Sequence, residues 1–216
     1  MKRQPHSDLY SPLNEANLFM RQRRQQMEVR LLHQHGISNF ELCQVLEVGC
    51  GTGSILADYL GYGVSGDALH GIDIRGELLI KAKHRIPHGH FICAAAQSIP
   101  YPTQYFDFVL QYTVFSSITD AVVRTKVAQE MLRVLKPNGV IVWYDFWVNP
   151  LNPDTEGIRP AEIRHLFPSC QYKFRRITLA PPLCRKLIPP CWGLATLLEY
   201  LKILNTHYLV IITAPR

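Results

Sequence analysis

The sequence has no uninterrupted apolar run of eighteen residues, so no segment of it reads as a membrane-spanning helix. Its opening, MKRQPHSDLY, is followed by no apolar signal core, and a cytoplasmic location is the expectation. The six cysteines, at positions 43, 50, 93, 170, 184 and 191, form no Cys-x-x-Cys pair that could begin a zinc set. Reduced thiols and no metal are expected. His84, His88 and His90 lie close together, but Pro87 and Gly89 prevent one helix face from gathering them, and they read as a solvated loop. Charge of one sign is also scarce in any one place. The net charge of +6 is spread over the amino-terminal segment, residues 81–85 and residues 175–176. No concentrated basic stripe interleaved with aromatics is present, which argues against a nucleic-acid substrate.

The chain does contain enough apolar residues, 47% against 19% charged, for one α/β domain with a proper core. Its organising stretch is VLEVGCGTG, residues 45–53. An apolar run short enough for a buried strand leads into three glycines spaced Gly49-x-Gly51-x-Gly53. Glycine is needed where the backbone turns through positive φ and must lie close to a bound molecule. Residues 54–59 can then open a helix whose free N–H groups point back at the turn. Glu47, set among Val45, Leu46 and Val48, is a carboxylate that needs a cationic or donor partner: a ligand, or loop N–H groups. Twenty positions after Gly53, the stretch HGIDI ends a second strand at Asp73, where nucleotide folds place an acceptor for ribose hydroxyls. The spacing G-x-G-x-G differs from the G-x-G-x-x-G of dinucleotide fingerprints.

VLEVGCGTG, then GIDI, then YFDFVL (residues 105–110), then LRVLKPNGVIV (residues 132–142) resembles the four-motif series of class I S-adenosylmethionine-dependent methyltransferases, of the small-molecule, methyltransferase-11-like type. The resemblance covers roughly residues 45–146. It implies a doubly wound, Rossmann-like sheet of seven strands, mostly parallel, with an antiparallel carboxy-terminal pair. It also implies S-adenosylmethionine as cofactor and S-adenosylhomocysteine as product. The cofactor residues so implied are Glu47, Gly49, Cys50, Gly51, Gly53, Asp73, Ile74, Ala96, Gln97 and Gln111. One position departs from the pattern: where relatives usually carry an acid beside the adenine, this chain has Ala94-Ala95-Ala96 before Gln97. Alanine cannot accept the adenine amino hydrogen, so Gln97 or a backbone carbonyl must, or the contact is missing.

A single domain over residues 1–216 is expected: an arm and helix (1–40), a cofactor-binding core (41–148) and an acceptor-side part (149–216) with an apolar insertion at 180–205. Residues 14–35 read as one helix, with Arg21, Arg23, Arg24 and Arg30 set against Leu18, Met27, Leu31 and Leu32. In the resembling family such helices often close over the site, which makes Tyr10 and Phe19 acceptor-binding candidates beside Tyr144 and Trp192. Asp120 can cap a helix whose Val123, Val127, Met131 and Val134 recur at core spacing. The Asn/Asp-Pro-Pro-aromatic motif of base and amide methyltransferases is missing after residue 112. Residues 192–204 are apolar almost all round, which suits a lid over an apolar acceptor or a homodimer contact more than plain core packing.

Methyl transfer to a hydroxyl or a protonated amine can use a general base, and the candidates are Asp145, Tyr112 and His165, with Asp145 first because it ends a strand. The reading is a methyltransferase acting on oxygen or nitrogen of a small, apolar metabolite such as a natural product, lipid or glycan precursor. Two alternatives stay open: a protein or RNA methyltransferase, and a cofactor-binding scaffold without catalysis.

Overall fold

The computed structural model describes residue 11, residues 13–149 and residues 155–214. Its chain order is α1 (Glu15–Gln34), β1 (Val45–Val48), α2 (Leu56–Gly61), β2 (Leu69–Asp73), α3 (Gly76–Arg85), β3 (His90–Cys93), β4 (Phe106–Tyr112), α4 (Ala121–Val134), β5 (Leu135–Phe146), α5 (Pro160–Leu166), β6 (Gln171–Leu179), α6 (Pro181–Leu187), α7 (Trp192–Leu201) and β7 (Asn205–Thr213).

One seven-stranded sheet runs in the order β3-β2-β1-β4-β5-β7-β6. The first five strands are parallel, and β7 lies antiparallel between β5 and β6. This is the doubly wound sheet that the motif series implied. Strand order reverses between β1 and β4, and a crevice at such a switch point is where open α/β sheets bind ligands. All four residues of β1 are buried, as an apolar run covered on both faces must be.

Alternation along the strands separates two cores. Val45, Leu110, Tyr112, Val142 and Tyr144 face α1, α2 and α3, whereas Leu46, Val48, Val109, Ile141 and Trp143 face α4 and α5. The Asp120 side chain caps α4, accepting from Val122 N–H at 2.7 Å and Val123 N–H at 3.2 Å, while Val127, Met131 and Val134 are buried. Asn14 caps α1 through the Asn17 N–H at 3.0 Å. The Pro137-Asn138-Gly139 turn lies inside β5 as an excursion: Leu135 pairs with Phe106 and Val140 with Phe108, and Asn138 takes φ 63°.

Along α1, Leu18 is exposed while Glu28 is buried, because the helix covers polar strand ends as well as the apolar face. One expectation needs correction here. The apolar insertion does not form one helix to residue 204. It forms α6 and α7, and α7 stops at Lys202, which adopts left-handed φ 61°. Nor is α7 buried all round: Ala195 and Glu199 face inward, while Leu194, Leu197, Tyr200 and Leu201 are exposed.

Candidate functional site

The loop after β1 turns three times through the left-handed region, at Gly49 (φ 70°), Gly51 (φ 50°) and Gly53 (φ 68°). A Cβ on Gly49 would lie 2.5 Å from Val114 Cγ2, so this turn closes directly against the loop after β4. The Gly49 and Cys50 N–H groups donate to the Ile72 carbonyl at 2.8 and 3.0 Å, which fastens the glycine loop to β2. Asp73, at the end of β2, accepts from Gly51 N–H at 2.9 Å and from Arg75 N–H at 2.9 Å. The Arg75 Nε also donates to Oδ1 at 3.3 Å, so Oδ2 is the oxygen that keeps a second lone pair for another donor.

Glu47 lies one register step below the loop, opposite Gly71 of β2 and Leu110 of β4. It is 2% exposed, and its Oε2 has no hydrogen-bond partner among the described residues. Burial pushes its carboxyl well above the usual range, against the opposing pull of Arg24 and the Leu56 N–H. A second orphan stands at the end of β4. Gln111 is fully buried, its Oε1 accepts from Val114 N–H at 3.1 Å, and its Nε2 has no partner among the described residues. Buried polar atoms are almost always paired in folded proteins, so each orphan calls for an explanation; alternation sets Glu47 on the α1–α3 face, behind the glycine loop, and Gln111 on the α4–α5 face.

Ile74, directly after Asp73, is 72% exposed. Ala94, Ala95 and Ala96 follow β3 half-buried, and Gln97 is exposed on the turn closed by Ser98 N–H to the Ala95 carbonyl. Cys50 is buried and its thiol is raised by burial, so it fills space beside Gly71, where a Cβ would meet its Sγ at 2.6 Å.

Over this end of the sheet lies α1, and it brings a buried polar network. Arg24 packs over the Tyr112 ring at 5.0 Å and the Tyr144 ring at 5.7 Å, and donates to Asp58 at 3.2 Å. Arg21 donates to the other Asp58 oxygen. Glu28, buried, accepts from Tyr59 OH at 2.6 Å and Tyr112 OH at 2.8 Å. Burial raises the Glu28 carboxyl, while Arg24 and the two phenols pull it down. Arg23 donates to the buried Glu199 of α7, which also accepts from Thr178 N–H at 3.1 Å. The signal was present in the spacing. Arg21, Arg24 and Glu28 recur at i, i+3 and i+7 and so share one helix face.

The base candidates part company. Tyr112 is 8% exposed, donates a hydrogen bond to Glu28, and is held well above the usual phenol range by burial. Asp145 is 1% exposed and lies on the opposite sheet face from Tyr144, the neighbour expected beside it. Its oxygens accept from Ser116 N–H at 3.2 Å and Phe146 N–H at 2.8 Å, and burial raises its carboxyl to about 6. His165 sits on the exposed flank of α5, which packs on α4, away from the α1 face.

Of the acceptor candidates, Tyr144 donates to or accepts from Thr178 Oγ1 at 2.8 Å and stacks on His207 with ring centroids 4.6 Å apart. Phe19 is 1% exposed and meets Trp192 edge-on at 5.5 Å inside a small core of α1, α6 and α7. Tyr10 lies outside the described residues. No cluster of three or more His, Cys, Asp or Glu placed to hold a metal occurs among the described residues.

Comparison with known proteins agrees with this geometry. A family model described as a methyltransferase domain matches residues 46–143. The ubiquinone/menaquinone biosynthesis C-methyltransferase UbiE of Vibrio campbellii is 29% identical over 133 residues, 58% of this chain and 49% of that protein. The UbiE of Campylobacter jejuni is 25% identical over 130 residues, 58% and 54%. The chain thus spans about half the length of the curated relatives it matches. Among solved structures, an S-adenosylmethionine-dependent methyltransferase from Methanosarcina mazei superposes with TM-score 0.62 at 18% identity, over 85% of this chain and 96% of that one. A protein from Pyrococcus horikoshii superposes with TM-score 0.68 at 16% identity, over 97% of both chains. At those identities the structures share the fold. Four motifs in order, the sheet they require and the methyltransferase-domain model over residues 46–143 together support a class I S-adenosylmethionine-dependent methyltransferase.

Proposed function

We propose that this protein transfers a methyl group from S-adenosylmethionine to an oxygen or nitrogen of a small, apolar metabolite. The observation that carries the cofactor half is the buried Glu47 carboxylate, whose Oε2 has no partner among the described residues, directly behind three left-handed glycines. A carboxylate in that state favours a cationic ligand, and the cofactor carries an ammonium and a sulfonium. Asp73 Oδ2 retains a lone pair for a ribose hydroxyl, Ile74 offers an exposed apolar surface for the purine, and Ala96 and Gln97 supply small or donor groups around it. The residues present fit the group.

When bound, the cofactor supplies an electrophilic methyl on a good leaving group. The protein then has to hold the acceptor atom in line and exclude water, which can contribute roughly 7–11 kcal/mol in well-oriented reactions. Orientation, not proton abstraction, carries the rate in this reading. Asp145 has its oxygens engaged by backbone, the Tyr112 hydroxyl is tied up donating a hydrogen bond to Glu28, and His165 faces solvent. The Tyr112, Tyr144 and Arg24 cluster at the ends of β4 and β5 walls the acceptor side. Carbon is the second acceptor reading, and it rests on the names of the C-methyltransferase relatives.

The test is the unfolding midpoint with and without S-adenosylhomocysteine, with NADH as control. A ligand at a hundred times its dissociation constant adds about 2.7 kcal/mol, a rise of roughly 5–10 °C for a domain of this size. A rise with the homocysteine ligand alone is expected; no rise at millimolar ligand would leave the scaffold reading in its place. Methyl label recovered in solvent-extractable material, with its position read by mass spectrometry, then decides between oxygen, nitrogen and carbon.

A further inference from the structure

We propose that α7 and the loop joining it to β7 form a surface that lies on an anionic lipid bilayer. The inference is independent of the catalytic reading. Helix α7 has two opposite stripes. Ala195 and Glu199 are buried against α1 and β6, while Leu194 (42% exposed), Leu197 (56%), Tyr200 (75%) and Leu201 (53%) point outward at helical spacing. The loop extends the patch with Ile203 at 73% and Leu204 at 42%. Contiguous large apolar side chains of this kind mark an interaction surface.

Charge selects the occupant. Between residues 181 and 204 the only carboxylate is Glu199, and it is buried and paired with Arg23. The same stretch carries Arg185, Lys186 and Lys202, and none of the three forms an ion pair among the described residues. Arg176 adds a fourth cation against the patch, donating to the Ile203 carbonyl at 3.1 Å. An apolar face flanked by unneutralised cations, with Trp192 and Tyr200 among its exposed aromatics, complements the headgroups and acyl boundary of an anionic leaflet. A second copy of the chain complements it poorly. A two-fold contact sets the same patch against itself, and here it would bring lysines and arginines together with no acid between them. No helix among the described residues is long and apolar enough to cross a membrane, so the helix lies on the surface and does not span it.

Vesicle flotation with the full chain tests this. The protein is expected to float with vesicles of phosphatidylglycerol in phosphatidylcholine and to stay behind with phosphatidylcholine alone. Leu197→Ser with Tyr200→Ser should abolish flotation, and Lys186→Gln with Lys202→Gln should weaken the partition coefficient by about thirty-fold, as should high salt. All four positions are exposed, so unchanged unfolding midpoints verify that the variants fold. No flotation with either vesicle overturns the proposal. So does equal flotation with both, unaffected by the lysine changes. Sedimentation of the free chain as a dimer that Leu197→Ser with Tyr200→Ser converts to monomer, without flotation, would assign the face to a second copy instead.

Discussion

Glu47 shows how much a single residue can give up for a ligand. Burial raises its carboxyl well above 4.5, so the folded chain binds that proton more tightly than the unfolded chain does. Its contribution to stability is therefore full at low pH and is lost as pH rises above the unfolded value of about 4.3. At neutral pH it is a liability to the ligand-free fold. Glu47→Gln should accordingly raise the stability of the ligand-free protein at pH 7.5 by about 1–3 kcal/mol in urea unfolding, with a smaller gain at pH 5. The same variant should lose most of the midpoint rise given by S-adenosylhomocysteine. A carboxylate that served only to tie loop N–H groups would behave the other way, and its removal would destabilise. The sequence showed that Glu47 had to find a partner; only the structure shows that Oε2 has none among the described residues.

At the scale of the element, α1 is held down by charge as much as by apolar contact. Arg24 stands near Glu28, Glu47 and Asp58 in a buried setting, and removing one partner from such a group leaves uncompensated charge behind. Arg24→Met, which keeps the length of the side chain, should cost about 3–5 kcal/mol at pH 8 by chemical denaturation. The sign of the pH dependence follows from the carboxyls. Burial raises Glu28 and Glu47 and Arg24 holds them down, so without Arg24 both take up protons at a higher pH, and the loss at pH 5 should be smaller. An equal loss at both values would mean that Arg24 acts through packing alone. The helix itself, with its Asn14 cap and Gly36 stop, could be read from the sequence because capping is local. Which face it buries could not, since that depends on the polar strand ends beneath it.

For the whole molecule, two buried histidines of the sheet contribute to the acid limb of stability. Burial, aided by the nearby charge of Arg24, pushes His207 down to about 3, and burial with the neighbouring His90 pushes His70 down to about 4. A base whose pKa is lowered on folding stabilises the folded state above its unfolded value of about 6.5 and withdraws that stability as pH falls toward the folded value. His207 is packed between the Tyr144 and Phe146 rings, at 4.6 and 3.9 Å, so Phe can take its volume. His207→Phe should leave stability at pH 8 within about 1.5 kcal/mol of wild type, as volume-conserving swaps do. It should also reduce the fall between pH 6.5 and pH 4 by a few kcal/mol, read as a lower acid-unfolding midpoint. An unchanged acid limb would place the titration elsewhere.

The sequence by itself determined the strand and glycine loop of residues 45–53, the acid at Asp73, the order of motifs and hence the sheet. These follow from local rules: an apolar run that must be covered, glycines for positive φ, a cap, a turn. It also determined that α7 is too apolar to be an ordinary surface helix. The tertiary structure alone decided the rest. It put Asp145 and Tyr144 on opposite faces because consecutive strand residues alternate, turned the arginines of α1 inward onto Asp58 and Tyr112, and closed Phe19 against Trp192. It also left one face of α7 open, because α1, α6 and β6 pack against the opposite side, which carries Ala195, Leu198 and Glu199. Whether a polar or apolar group ends up paired depends on neighbours distant in sequence, and long-range packing selects those neighbours.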